Sequence, residues 1–138
     1  LLHVHEMSES EILPDVIKIL NFLGNESQPV ALGSASKNAR LILNKVNLID
    51  KFEAIVDGTN VSKAKPDPEV FLIAAKQLGM PPEDCIVFED SVAGVQAANS
   101  AYMISVGIGD AKILHEADYI FRDFTEISTD FLKEVKKK

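Results

Sequence analysis

Glu89 and Asp90 stand side by side directly after the apolar run Ile86, Val87 and Phe88. Two carboxylates at the mouth of a buried strand need a partner, and a hard divalent cation with oxygen ligands is a natural one. The plain alternative is one carboxylate capping the next helix with the other in water. Lys65 precedes Pro66, Asp67, Pro68 and Glu69. Pro66 biases Lys65 toward an extended backbone just ahead of a helix start, where an ammonium could neutralise a phosphoryl group as a point charge; an ordinary loop lysine is the alternative. A third group, Ser34, Ala35, Ser36, Lys37 and Asn38, follows Gly33 at a strand-to-helix turn. Free N–H groups there favour an anion and the side chains add donors, although a plain Ser36 cap with an exposed Lys37 has the same spacing. Together the three groups describe a metal, a phosphoryl clamp and a counter-charge on one rim. Positioning and charge neutralisation of this kind supply most of the catalysis in phosphoryl transfer.

Other polar residues carry less. His3 and His5 could face one way on a strand, but no further ligand has metal-site spacing. His115 lies in a polar stretch and reads as exposed. Asp57 and Gly58 read as a turn ending a strand, where Asp57 shapes the rim without ligating. Cys85 opens an apolar strand and reads as core. No grouping suggests a Ser-His-Asp triad or a zinc site.

A chain of 138 residues that is 46% hydrophobic and 25% charged suits one packed domain. The formal charge of −7 argues against nucleic acid or an anionic membrane surface as partner. It leaves room for a small phosphorylated substrate held by a few local donors. Lys136, Lys137 and Lys138 read as a solvated tail. One cysteine allows no intrachain disulfide, which fits a cytoplasmic location. No apolar run reaches membrane-spanning length and no signal peptide is evident. The first residue is Leu1 rather than Met, which reads as processing or as a piece of a longer protein.

The elements that must position these groups follow from periodicity and punctuation. Ser8 and Glu11 have capping-box spacing, and Leu13, Val16, Ile17, Leu20 and Leu23 follow at helical intervals up to Gly24. Short apolar runs at 30–32, 54–56, 85–88, 103–106 and 119–121 read as strands. Helices are expected from 36 to about 46, from the Asp67-Pro68-Glu69 start to Gly79, from Ser91 through Ala93, Gly94, Ala97 and Ala98, and over 129–135. Apolar strands alternating with amphipathic helices predict a Rossmann-like, three-layer αβα sandwich with a mostly parallel sheet. Ligands of such sheets bind at the carboxyl ends of the strands, where all three polar groups fall.

In this order the motifs resemble the haloacid dehalogenase superfamily. Ser34 matches its second motif, Lys65 its third, and Glu89 with Asp90 its fourth. The run from Glu89 through Ser91, Gly94 and Ala98 is similar to the branch with a helical cap near the N-terminus, as is the run from Lys65 to Phe71. Ser34, Ala35, Ser36, Lys37 and Asn38 look like the β-phosphoglucomutase branch. The resemblance implies that Ser34 and Lys65 hold the transferring phosphoryl group, that the Ser34-to-Asn38 run holds substrate phosphate, and that Glu89 and Asp90 help bind Mg²⁺. It implies interconversion of β-glucose 1-phosphate and glucose 6-phosphate, with a sugar-phosphate phosphatase as the neighbouring alternative.

The departures are specific. The family's Asp-x-Asp nucleophile motif occurs nowhere in the 138 residues, so this chain alone is expected to be inactive. Residues 1–138 read as a single partial core domain, with 1–10 a remnant of the connection from the cap. Tyr102 stands where relatives usually place glycine. The family's first core strand is missing, which implies that the strand before Ser34 and the strand before Glu89 pair directly, accept residues 1–5, or take a strand from another chain by self-association or complementation. Two further readings remain: a non-catalytic Mg²⁺- or phosphate-binding module, and a receiver-like regulatory domain with Asp90 as phosphoacceptor.

Overall fold

The structure, a computed structural model, describes residues 14–26, 28–33, 52–56 and 61–135. Helix α1 (Pro14–Asn25) leads to strand β1 (Ala31–Gly33), and β2 is Ala54–Val56. Helix α2 (Glu69–Leu78) is followed by a 3₁₀ turn at Pro82–Asp84, strand β3 (Ile86–Glu89) and helix α3 (Val92–Ser100). Strands β4 (Ile104–Ile108) and β5 (Tyr119–Phe121), a 3₁₀ turn at Phe124–Glu126 and helix α4 (Thr129–Val135) complete the order.

All described pairings are parallel. Ala31, Leu32 and Gly33 register with Ala54, Ile55 and Val56. Ile86 to Glu89 register with Ile104 to Gly107, and Val106 to Ile108 with Tyr119 to Phe121. Alternation along the strands builds a core on each face. Leu32, Phe88 and Val106 pack with Ile19 and Leu20 of α1 and Leu132 of α4. Ala31, Val56 and Val87 face Phe71 and Ala74 of α2 and Ala97 and Ala98 of α3. The result is the three-layer α/β architecture that the sequence predicts.

Among the described residues, β1 pairs with β2 and β3 pairs with β4, so β1 and β3 are not hydrogen-bonded neighbours. Direct pairing of those two strands is therefore not the arrangement adopted. Both cores nevertheless span them, through Leu32 with Phe88 on one face and Ala31 with Val87 on the other.

Helix ends follow local chemistry. Asp67 Oδ1 accepts from Glu69 N at 3.0 Å, so Asp67 caps the start of α2 although the regular helix begins two residues later. Gly79, at φ 68°, closes α2 in the left-handed conformation, with its N–H on Lys76 O and Met80 N–H on Ala75 O. Ser91 caps α3 by accepting from Gly94 N at 3.0 Å. The expected strands shift by a residue or two, to 31–33, 86–89 and 104–108, while 54–56 and 119–121 and the helix at 129–135 stand as read. The helix read over 36–46 and the capping box at Ser8 and Glu11 lie outside the described residues.

Candidate functional site

The carboxyl end of β3 delivers Glu89 into the interior, with 1% of its surface exposed. A buried carboxylate must be satisfied, and each oxygen has its own partners. Oε1 accepts from Asp90 N at 3.0 Å, Ser91 N at 3.2 Å and Ser91 Oγ at 3.1 Å. Oε2 accepts from Lys65 Nζ at 2.9 Å. The same Ser91 hydroxyl that caps α3 thus also donates to Glu89. The carboxylate rests on the first turn of α3, where the helix dipole favours negative charge.

Lys65 arrives from the other side, on the loop between β2 and α2. Ser62 N and Oγ donate to the Glu69 carboxylate at 2.7–3.1 Å, closing this loop onto the first turn of α2. Asp67 N–H donates to Ala64 O at 3.1 Å, tightening the turn around Lys65. The Lys65–Pro66 peptide is cis. The Lys65 ammonium lies 4.9 Å from the centroid of the Phe71 ring, within cation–π range, and Phe71 itself is fully buried.

Burial pushes the Glu89 carboxyl above its ordinary value; the Lys65 charge and hydrogen bond oppose this, and the neighbouring Asp90 adds to it. Burial likewise pushes the Lys65 ammonium down, against the attraction of Glu89 and Asp90. Burial is the larger influence on both groups, and their mutual attraction opposes it. Asp90, by contrast, is exposed at the mouth of the strand.

Lys65, Glu89 and Asp90 are therefore brought together at the carboxyl end of the sheet. Ser34, Ala35, Ser36, Lys37 and Asn38 lie outside the described residues, as do Asp57, His3 and His5. The alternative reading, one carboxylate capping the next helix and the other in water, is met in part: Glu89 Oε1 takes the N–H groups of Asp90 and Ser91 just ahead of α3, and Asp90 is exposed. The paired Lys65 goes beyond it. His115 is exposed. Cys85 is buried, with Sγ 3.5 Å from Pro81 O and its thiol pushed up by burial, as befits a core residue.

Phe71, Ser91 and Gly94 contribute more than periodicity suggests. Phe71 reads as one more apolar helix position and Ser91 as a cap; only their distances to Lys65 and Glu89 show the second role. The one available signal was a glycine inside a helix, where it is unfavourable without a packing reason. A 390 Å³ apolar cavity lined by Leu23, Val30, Met80, Cys85 and Ile86 lies at the amino ends of the strands, away from the charged cluster.

As a metal site, the cluster offers carboxylate oxygens only. Among the described residues no three His, Cys, Asp or Glu side chains group closely enough to cage an ion. That donor set fits Mg²⁺, which keeps several waters and takes one or two carboxylates, and does not fit zinc.

The model of the haloacid dehalogenase-like hydrolase family matches residues 2–101. The chain belongs to that family. It is 38% identical over 131 residues to β-phosphoglucomutase of Bacillus subtilis, matching 95% of this chain and 58% of that protein. It is 34% identical to a phosphorylated carbohydrates phosphatase of Thermotoga maritima, over 96% of this chain and 67% of the relative. Among solved structures, β-phosphoglucomutase of Clostridium difficile superposes with a TM-score of 0.89 at 35% identity, over 95% of this chain and 59% of that one. The chain thus spans about three fifths of the β-phosphoglucomutases it matches. Its parallel α/β core is the fold of these neighbours. Among the described residues no helix is long and apolar enough to cross a membrane.

Proposed function

We propose that this chain forms the cation-and-phosphate part of a Mg²⁺-dependent phosphoryl-transfer site that acts on a phosphorylated sugar, in the manner of β-phosphoglucomutase. The observation that carries the reading is the buried Lys65–Glu89 pair at 2.9 Å with the exposed Asp90 carboxylate beside it. Asp90 would hold the ion through its solvent-facing carboxylate, and Glu89 would be the second oxygen donor while fixing Lys65. Held by these carboxylates, Mg²⁺ would supply charge neutralisation for phosphoryl oxygens. Lys65 contributes a positive charge that the Phe71 ring and Glu89 keep in place before any ligand arrives. Ser34 and the run through Asn38 supply the remaining phosphate donors, and the single cysteine fits a cytoplasmic setting.

No Asp-x-Asp pair occurs in these 138 residues. The chain by itself is therefore expected to bind without turnover, because it offers no aspartate of that motif to carry a phosphoryl group. Calorimetric titration with inorganic phosphate in Mg²⁺ tests the binding claim. A charge-assisted hydrogen bond is worth roughly 1.5–3 kcal/mol, so Lys65→Met should weaken phosphate at least about tenfold. Unchanged affinity would remove Lys65 from the site.

A sugar-phosphate phosphatase is the second reading, favoured by the 34% identity to the carbohydrate phosphatase. Supplying β-glucose 1-phosphate to the intact gene product and measuring glucose 6-phosphate against free phosphate separates the two.

A further inference from the structure

Gly94 lies inside helix α3, three residues beyond its cap, and it is buried. A Cβ built on it would sit 1.9 Å from Glu89 Cδ, 2.0 Å from Cγ and 2.2 Å from Oε2. The missing side chain is thus the space that the Glu89 carboxyl group occupies. All three obstacles are Glu89 side-chain atoms rather than backbone, so an added methyl group requires the Glu89 carboxylate to swing away. That swing would break its contacts to Ser91 and Lys65 while leaving the helix in place. Helix preference alone would favour alanine at this position.

We infer that Gly94 is a positioning residue, whose vacant side-chain position holds the Glu89 carboxylate across the first turn of α3 and against Lys65. The inference rests on the proposed function for its purpose, but its geometry stands alone. Gly94 touches no ligand; it acts through Glu89 on the charge that Lys65 presents.

The test compares Gly94→Ala, Glu89→Ala and the double variant, reading melting temperature and the Lys65 Cε–Hε NMR signal at one fixed pH. Gly94→Ala should fold and should move the Lys65 signal as Glu89→Ala does. In the Glu89→Ala background the same substitution should leave that signal still and hold or raise the melting temperature. A Lys65 signal unmoved by Gly94→Ala, or equal effects in both backgrounds, overturns the inference. Should Gly94→Ala fail to fold, folding of the double variant supports the clash with Glu89, and failure of both refutes it. A wild-type chain that shows this coupling but whose NMR signals ignore Mg²⁺ and inorganic phosphate would refute the proposed function and leave the positioning role standing.

Discussion

The Lys65–Glu89 pair makes a prediction whose size follows from burial. Lys65→Met keeps an unbranched stem over the Phe71 ring but takes the ammonium away from Oε2. Glu89 has no exposed side-chain surface and Lys65 has 10%, so the two halves of the pair are not equivalent. Removing one partner of a buried pair costs about 3–5 kcal/mol. Glu89 keeps three donors on Oε1, which places Lys65→Met at the low end, about 3 kcal/mol. Glu89→Gln still accepts from those donors and leaves a long side chain with some reach to water, so about 2 kcal/mol is expected. The double variant should lose only about 2 kcal/mol rather than the additive 5, a coupling of about 3 kcal/mol. Urea unfolding at pH 7 measures all four proteins.

The pH dependence carries its own sign. The folded-state value of Glu89 is raised above its unfolded one. Its stabilising contribution is thus present below the ordinary 4.5 and lost as pH rises through the folded value. Removing Lys65 deletes the main influence pulling that value down, so the Lys65→Met deficit should shrink as pH falls from 7 toward 5. Singles that add within about 0.5 kcal/mol, or a deficit flat across that range, would refute the reasoning.

Tyr102 holds φ at 63° with its side chain 85% exposed; Tyr102→Gly should stabilise by about 0.5–1 kcal/mol, seen as a raised melting temperature. Ser105 is fully buried and its hydroxyl joins Asn99 Oδ1 at 2.7 Å to Asp118 N at 3.0 Å. Ser105→Ala should cost about 2 kcal/mol in urea unfolding. Hydrogen bonds from Ser62 hold the Glu69 carboxyl below its ordinary value. That contribution is present above 4.5 and lost as pH falls through the folded value, so Glu69→Gln should flatten the acid limb of stability.

The layered α/β fold was legible because short apolar strands alternate with helices whose ends are chemically marked. Asp67, Pro68 and Gly79 mark α2, and Ser91 marks α3. Strand edges moved by one or two residues because inclusion of Gly33, Glu89 and Ile108 at the strand ends depends on pairing partners, which periodicity does not contain. For the same reason Glu89 could be placed at a strand mouth but not turned inward. Its orientation depends on the space at Gly94 and on an ammonium 24 residues earlier in the chain. The positive φ at Tyr102 was visible only as an unexpected residue type after Ala101. The reading of Ser34 to Asn38 as a phosphate-binding run rests on the sequence alone, since those residues are outside the described ones.

The most direct measurement replaces Mg²⁺ by paramagnetic Mn²⁺ and follows the amide signals of the ¹⁵N-labelled chain during titration. The account predicts that Asp90, Ser91 and Lys65 broaden first, while Glu83 and Asp84, acidic residues at the far end of β3, keep their signals until much higher concentrations. Early broadening at Glu83 and Asp84, with Asp90 and Lys65 sharp, would contradict it.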